Sequence, residues 1–475
     1  MRSESLKKGV LILSVAKYSN VFFTLIANAI LARLLTAEDY GIVAIVTVFV
    51  TFFQLVSDMG IGTGIIQNQT IQKGDIEDLF SISFYISLIL ASLMFILSFA
   101  VEYVYNNAVY QELCIMLSIS VFFYALNTVP NAILMRNKKF SLIGVRTIIV
   151  NVISYVIAIF CAWFDFKYYA LVIQAIVNSA VTFACNYWSA RIHFHFRFSL
   201  NGLKEISSYA GCDFGFNIIS YFARNADNLL VGKTLGNVAL GYYGKAYNLM
   251  LYPVTYLTGV ISPVLHPIFA KHQDDKLYIY KQYMKVFKVL SMLGVFISIY
   301  CYIASPEIVM ILYGSQWESV IPCISALSVS IWFQMTSSSC GSVYKSIGRT
   351  DLMLKSALVY VPIQLLFIGA GVYSQNIVIL SWCVALSFIF KFFTEYCLLI
   401  SKGFGIPVIR FYKKLWPEVV IATTMILVLC FMGRGQIDNV LLSAVYKGVL
   451  CLIPFIFMLV VTKQHAYFME FFNKK

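Results

Sequence analysis

The chain has 475 residues, 60% of them apolar and only 12% charged, with a mean hydropathy of +0.80. A soluble domain carries about 25% charged residues, so this composition excludes a soluble globular fold and requires a bilayer. The formal net charge of +13 does not by itself point to nucleic acid, because in a membrane protein the placement of Lys and Arg tells more than their sum.

Apolar stretches of the roughly 20 residues that a spanning helix needs recur from end to end. In chain order they fall at 10–32, 40–66, 79–101, 111–134, 142–163, 168–190, 206–232, 239–268, 284–304, 320–344, 352–373, 377–400, 415–432 and 440–461. The expectation is an all-α polytopic membrane protein of about 14 transmembrane helices. The first stretch follows Arg2, Lys7 and Lys8 and contains Ala27, Asn28 and Ala29, which imitates a signal-peptide cleavage site. Lys17 and Asn20 interrupt what should then be an unbroken apolar run, so a retained helix is expected.

Basic residues orient these spans. With the N-terminus inside, the inner connections hold Arg136, Lys138 and Lys139, then Arg191, Arg197 and Lys204, then Lys271, Lys276, Lys281 and Lys285, then Lys345 and Arg349, then Lys402, Arg410, Lys413 and Lys414. The outer connections hold Arg33, Lys167, Lys233 and Arg434. Both termini are therefore expected in the cytoplasm, in a multi-pass protein of the cell (inner) membrane. The eleven cysteines lie in spans or at their edges, where they act as small apolar residues. They form no CxxC motif or disulfide framework. His193 and His195 alternate with aromatics in RIHFHFRF, a pattern of an amphipathic interfacial segment rather than a metal site.

The chain resembles itself at an offset of 200 residues. In that register Phe22 meets Phe222, Asn28 meets Asn228, Arg33 meets Lys233, Leu35 meets Leu235 and Gly41 meets Gly241. Basic inner turns follow at similar distances in each half, in NAILMRNKKF and GSVYKSIGRTD. Two six-helix lobes are expected, 1–200 and 201–400, with residues 401–475 as two additional spans and a cytoplasmic tail. An even number of helices per lobe makes the repeat parallel, and transporters commonly bind at such a repeat interface.

Charges inside the spans are the strongest functional signal, since an ionised side chain at mid-bilayer costs about 2.5–3.5 kcal/mol on insertion scales. On the seventh span Asp213, Asn217, Ser220, Arg224, Asp227 and Asn228 share one helical face; on the first, Lys17, Asn20, Thr24 and Asn28 do so. The polar face is repeated at the 200-residue offset, so both helices are expected to line a cavity. Arg224 and Asp227 could simply neutralise one another at helical i,i+3 spacing, but that leaves the asparagines and Ser220 unexplained; Asp227 is expected to hold Arg224 in position for a ligand. Lys245 shares a face with Asn248, Tyr252 and Tyr256 and is a further cavity candidate. Asp58, Asp213, Lys391 and Glu395 are candidates for ion coupling, with Lys391 and Glu395 also readable as a satisfied interhelical pair. Arg146 and Lys447 read as interfacial.

The stretch DNLLVGKTLGNVALGYYGKAYNL (227–249) resembles the signature after the seventh helix in polysaccharide-export proteins of the multidrug/oligosaccharidyl-lipid/polysaccharide (MOP) exporter superfamily. ARLLTAEDYGIVAI (32–45) resembles the matching segment after their first helix. The resemblance implies a Wzx-type flippase that moves polyprenyl-pyrophosphate-linked oligosaccharide, the repeat unit of O-antigen, capsule or exopolysaccharide, to the outer leaflet by alternating access around a cationic cavity. It implies membrane lipids and other polysaccharide assembly proteins as partners, with no nucleic acid. Lys17, Arg224, Asp227 and Lys245 match that expectation by type and position, although no dense run of arginines is present.

Two alternatives stand beside it. A cation-coupled multidrug exporter of the same superfamily would favour carboxylates over lysines in its cavity. A membrane polysaccharide polymerase or ligase would need a sizeable outer loop with catalytic groups, and SPEIVMILYGSQWES offers no His, Arg or Lys. No P-loop GxxxxGK[ST] occurs, so no cofactor is expected, and energy would come from a proton or sodium gradient, the membrane potential or consumption of product.

Overall fold

Short polar punctuation sets the helix boundaries. Thr36 ends the first helix, α1 (Arg2–Leu34), and opens α2 (Ala37–Ser57) with a capping box: its hydroxyl accepts from the Asp39 amide at 3.2 Å while Asp39 accepts from the Thr36 amide at 2.9 Å. Such reciprocal bonds satisfy amides that the helix start would otherwise leave without partners. A short α3 (Ile61–Gln67) precedes α4 (Lys73–Tyr105), and Asn106, with positive φ, ends α4 before Asn107 caps α5 (Ala108–Leu126) through the Val109 amide. The remaining helices of the first half are α6 (Thr128–Arg136), α7 (Phe140–Trp163) and α8 (Tyr169–Ala190).

The second half repeats the plan with α9 (Gly211–Thr234), α10 (Asn237–Ala270), α11 (Lys276–Ile303), the short α12 (Ser305–Leu312), α13 (Ile321–Ser328), α14 (Ile331–Ser337), α15 (Cys340–Ser346), α16 (Thr350–Tyr373) and α17 (Ile377–Leu398). Two more long helices, α18 (Trp416–Met432) and α19 (Val440–Val461), follow, and a terminal α20 (His465–Phe472). Asp275, Asn376 and Asn439 cap α11, α17 and α19 through side-chain oxygens. The computed structural model describes residues 2–58, 61–67, 72–192, 194, 211–270, 272–273, 275–432 and 437–472, and among them every regular element is helical.

Among the described residues ten helices are long and apolar enough to cross a membrane, or eleven if one bent pair is a single span. The chain is thus a multi-pass membrane protein. Helices also occupy the other three expected positions, α1, α9 and α10. The bent pair, Ser315–Ser328 with Ile331–Ser346, turns by 53° where the sequence suggested one continuous span at 320–344. Hydroxyls at the break explain the difference: Ser328 donates to the Ile324 carbonyl at 2.6 Å and Ser330 to that of Leu327 at 2.7 Å. Side chains bonding back to their own helix bend it.

Contacts divide the chain into two units. The first comprises residues 1–221 and 231–241, the second residues 222–230 and 242–475. In the first, α1 packs on α7, α4 on α5, and α5 and α7 on α8, around Leu31, Leu35, Ala158, Ala162 and Ala170 and a second core of Ile65, Leu79, Phe80 and Val129. In the second, α11 is central, packing on α13, α14, α18 and α19. Two buried ion pairs fasten the last helices: Lys288 on α11 to Glu418 on α18 at 2.8 Å, and Lys447 on α19 to Glu307 on α12. Lys447 is thereby buried and paired rather than interfacial, with Ser443 also donating to Glu307 at 2.7 Å.

One contact in the first unit makes the internal repeat physical. A Cβ on Gly41 would stand 1.8 Å from the Asn237 carbonyl oxygen, and one on Gly241 would stand 1.8 Å from that of Ala37. Positions 37 and 41 meet 237 and 241 at the repeat offset, so the starts of α2 and α10 cross backbone to backbone in a reciprocal contact that only glycine permits. The same tip of α10 is fixed by the Tyr110 hydroxyl, which donates to Asn237 at 2.5 Å.

Gly41→Ala and Gly241→Ala are each expected to destabilise the folded chain by overpacking, about 1–3 kcal/mol or more. Gly244→Ala, where an added Cβ meets nothing within 4 Å, serves as the control. Thermal unfolding of detergent-solubilised protein checks this: three equal midpoints would contradict the crossing.

Candidate functional site

Charged groups of the second unit lie on α9 and α17, beside tyrosines of α10 and α16. Asp227 on α9 is 3% exposed. Its carboxylate accepts from the Tyr243 hydroxyl on α10 at 2.5 Å and from the Asn228 amide at 2.8 Å. The Tyr243 ring lies tilted against Tyr247, and Tyr247 against Phe388 on α17, with ring centroids 5.8 and 6.3 Å apart. Arg224, one helical turn before Asp227, is exposed, and its charge acts on both Tyr247 and Lys391. Lys391 pairs with Glu395 at 3.7 Å and lies 5.0 Å from the centre of the Tyr360 ring on α16.

This arrangement differs from the sequence expectation in three respects. Asp227 does not serve as the ion-pair partner of Arg224 among the described residues; it is held by Tyr243 and its own helix. Residues i and i+3 are separated by roughly 60° around a helix, enough to turn Asp227 inward while Arg224 faces out. The Lys391–Glu395 pair lies within one helix, at i,i+4, rather than between two. Arg224 and Lys391, assigned separately to substrate binding and ion coupling, are electrostatic neighbours. Of these four ionisable groups the two acids are buried, Lys391 is half-buried and Arg224 is exposed.

Lys245 points elsewhere. It is 6% exposed, with its ammonium 5.0 Å from the Tyr313 ring centre and 5.4 Å from that of Trp317. Burial against aromatic faces is a favourable setting for a cation, and it sets Lys245 in an aromatic wall away from the Asp227–Tyr243 contact. Asn228 is half-buried beside Asp227. In the first unit, Asn20 accepts from Asn151 at 2.6 Å, Asn28 is half-buried on α1, and Asp58 at the end of α2 is exposed and accepts from the Tyr124 hydroxyl at 3.2 Å. The side chains of Lys17, Asp213 and Asn217 lie outside the described residues, as do His193 and His195.

Sequence reasoning missed Tyr243, Tyr247 and Tyr360. The first two stand at i,i+4 within NVALGYYGKAYNL, a spacing that gives them a common helix face, but tyrosine is too frequent in this chain to stand out.

The second unit also contains an apolar cleft of about 740 Å³. Its walls include Val295 and Ile299 of α11, Trp332 of α14, Trp382 of α17, Ile426 of α18 and Leu450 of α19, so the two additional helices form part of it. Lys447, bonded to Glu307 and to the Ile303 carbonyl at 3.2 Å, is its charged lining residue.

Tyr243→Phe is expected to cost about 1–3 kcal/mol, because it leaves a buried carboxyl short of a donor. The double variant with Asp227→Asn should lose less than the sum of the single changes. A thermal-unfolding midpoint for Tyr243→Phe equal to the parent would refute the contact's weight.

Comparison with known proteins agrees with this architecture. The family described as "Polysaccharide biosynthesis protein" matches residues 30–322. The lipopolysaccharide biosynthesis protein WzxC of Escherichia coli is 24% identical over 333 residues, covering 70% of this chain and 68% of that protein. The teichuronic acid biosynthesis protein TuaB of Bacillus subtilis is 22% identical over 391 residues, covering 80% of each. The solved structure of the lipid II flippase MurJ in an inward closed conformation superposes with a TM-score of 0.74 at 14% identity, over 96% of this chain and 99% of that one. An inward-facing multidrug resistance MATE transporter of the MOP superfamily follows with a TM-score of 0.60 at 14% identity, over 82% of this chain and 99% of that one. At such identities these two likenesses speak for the fold.

Proposed function

The chain belongs to the polysaccharide biosynthesis protein family, and from that premise we propose that it is a flippase for polyprenyl-pyrophosphate-linked oligosaccharide, carrying the repeat unit of a surface polysaccharide from the cytoplasmic to the outer leaflet of the cell membrane. The reading rests above all on Arg224, a cation exposed on α9, one of the expected spans. A pyrophosphate crossing an apolar medium needs such partners: a guanidinium offers paired donors to phosphate oxygens, and attraction grows as the local dielectric falls. The apolar cleft of about 740 Å³ in the same unit offers a surface for an isoprenoid chain.

The names of the relatives support this direction, since WzxC and TuaB are proteins of lipopolysaccharide and teichuronic acid biosynthesis and ExoT of Rhizobium meliloti is a succinoglycan biosynthesis transport protein. An exposed Arg224 argues against export of cationic drugs, which it would repel. On this reading the chain is a transporter rather than an enzyme, both termini are cytoplasmic, and a proton or sodium gradient drives the cycle, with Asp58 and Asp213 as candidate coupling groups.

The test is complementation of a flippase-deficient, polymer-producing cell at equal membrane abundance. The parent chain should restore polymer, Arg224→Ala should lower output by at least about tenfold, equivalent to roughly 1.4 kcal/mol, and Arg224→Lys should retain part of it. Lys391→Ala should also reduce output. Parental output from both alanine variants would remove the cationic site from the transport path.

A further inference from the structure

Three helices of the first unit, α2, α5 and α8, pack together and enclose a second cavity, of about 400 Å³, with a chemistry unlike the Arg224 site. Each contributes a stripe at helical spacing: Thr47, Thr51 and Gln54 from α2, Ser120, Tyr124 and Asn127 from α5, and Gln174, Asn178 and Thr182 from α8. No lining residue is charged. Among the described residues two charges stand one layer behind: Asp58 accepts from Tyr124 at 3.2 Å, and Arg146 donates to Asn186, which itself donates to Asn127 at 2.7 Å.

We infer that this cavity is a binding site for neutral sugar rings, with Gln54 and Gln174 as its principal hydrogen-bonding groups. The inference deepens the flippase reading and rests on it for the source of the sugar. Its volume falls in the range of small-ligand sites, roughly 300–1,000 Å³.

The polar groups divide into two kinds. Asn178 is spent on the protein: it donates to Asn151 at 2.6 Å, and Asn151 donates to Asn20 at 2.6 Å, an amide ladder that ties α8 to α7 and α1. Ser120 and Ser179 bond to backbone carbonyls of α8. In contrast, the side chains of Thr51, Gln54, Gln174 and Thr182 make no hydrogen bond to any described residue. A primary amide presents two donors and an acceptor, so Gln54 and Gln174 facing one cavity can answer both the donor and the acceptor side of sugar hydroxyls. Val50, Leu117 and the Tyr124 ring supply apolar wall for the C–H faces of a ring. A carboxylate or phosphate here would find no cation among the lining groups, and burying an unpaired charge is costly, so the ligand is uncharged.

Saturation-transfer difference NMR on the full chain in nanodiscs tests this, with glucose, galactose, rhamnose and N-acetylglucosamine as neutral probes and glucuronic acid as the charged one. At least one neutral probe should give a signal that falls by at least about fivefold in Gln54→Leu and Gln174→Leu and persists in Gly244→Ala, where an added Cβ meets nothing within 4 Å, with glucuronic acid silent. Variants are compared only where size-exclusion profiles match the parent; the smaller change Thr182→Val provides a second probe of the same wall. No signal from any neutral probe, or a signal indifferent to all three substitutions, overturns the site. Because the measurement needs no transport, a chain that binds sugars here but fails in complementation contradicts the flippase reading alone. A chain that restores polymer while Gln54→Leu and Gln174→Leu change neither assay contradicts the sugar site alone.

Discussion

In an apolar medium every charge needs a partner inside the protein, and that constraint organises this structure. Breaking a buried pair by removing one member typically costs about 3–5 kcal/mol, so pairs become fasteners. Lys288 with Glu418 and Lys447 with Glu307 tie α18 and α19 to α11 and α12, and through them the apolar cleft obtains two of its walls. Lys245 is answered by aromatic faces, Asp227 by a tyrosine hydroxyl, Lys391 by Glu395 one turn away. Arg224 differs from these groups in being exposed.

A second constraint, close backbone approach, explains why the repeat is readable at all. Most of the 200-residue register carries only matching residue types, because lipid-facing positions accept any apolar side chain. Gly41 and Gly241 are different: each lies against the carbonyl that the other repeat's residue 37 or 237 presents, and no Cβ fits. A sequence comparison can therefore detect the pair, while only coordinates reveal that the two glycines belong to one reciprocal contact. The turn before each helix solves the same problem by different means, a capping box at Thr36 and a positive-φ glycine at Gly236.

Hydropathy made the long helices legible, since their length is set by the bilayer, but not their interruptions. The span expected at 111–134 divides at Asn127 into α5 and α6, the one at 40–66 divides after Ser57, and the one at 320–344 bends. Each break depends on where a hydroxyl, amide or cap bonds locally, which averages over 20 residues conceal. The candidate site was legible to the same extent. Charges are rare in this chain, so Arg224 with Asp227 and Lys391 with Glu395 stood out as two pairs; the tyrosines beside them depend on α10 meeting α17 through Tyr247 and Phe388, a long-range pairing that no local pattern encodes. Thr51, Gln54, Gln174 and Thr182 carried no such flag, because an uncharged polar residue in a membrane helix more often bonds to its own backbone than to a ligand.

The two polar sites are chemically complementary to different parts of one molecule. A lipid-linked oligosaccharide combines an isoprenoid chain, a pyrophosphate and sugar rings, and these favour apolar surface, accessible cations and uncharged donors and acceptors respectively. The second unit contains the first two environments and the first unit contains the third.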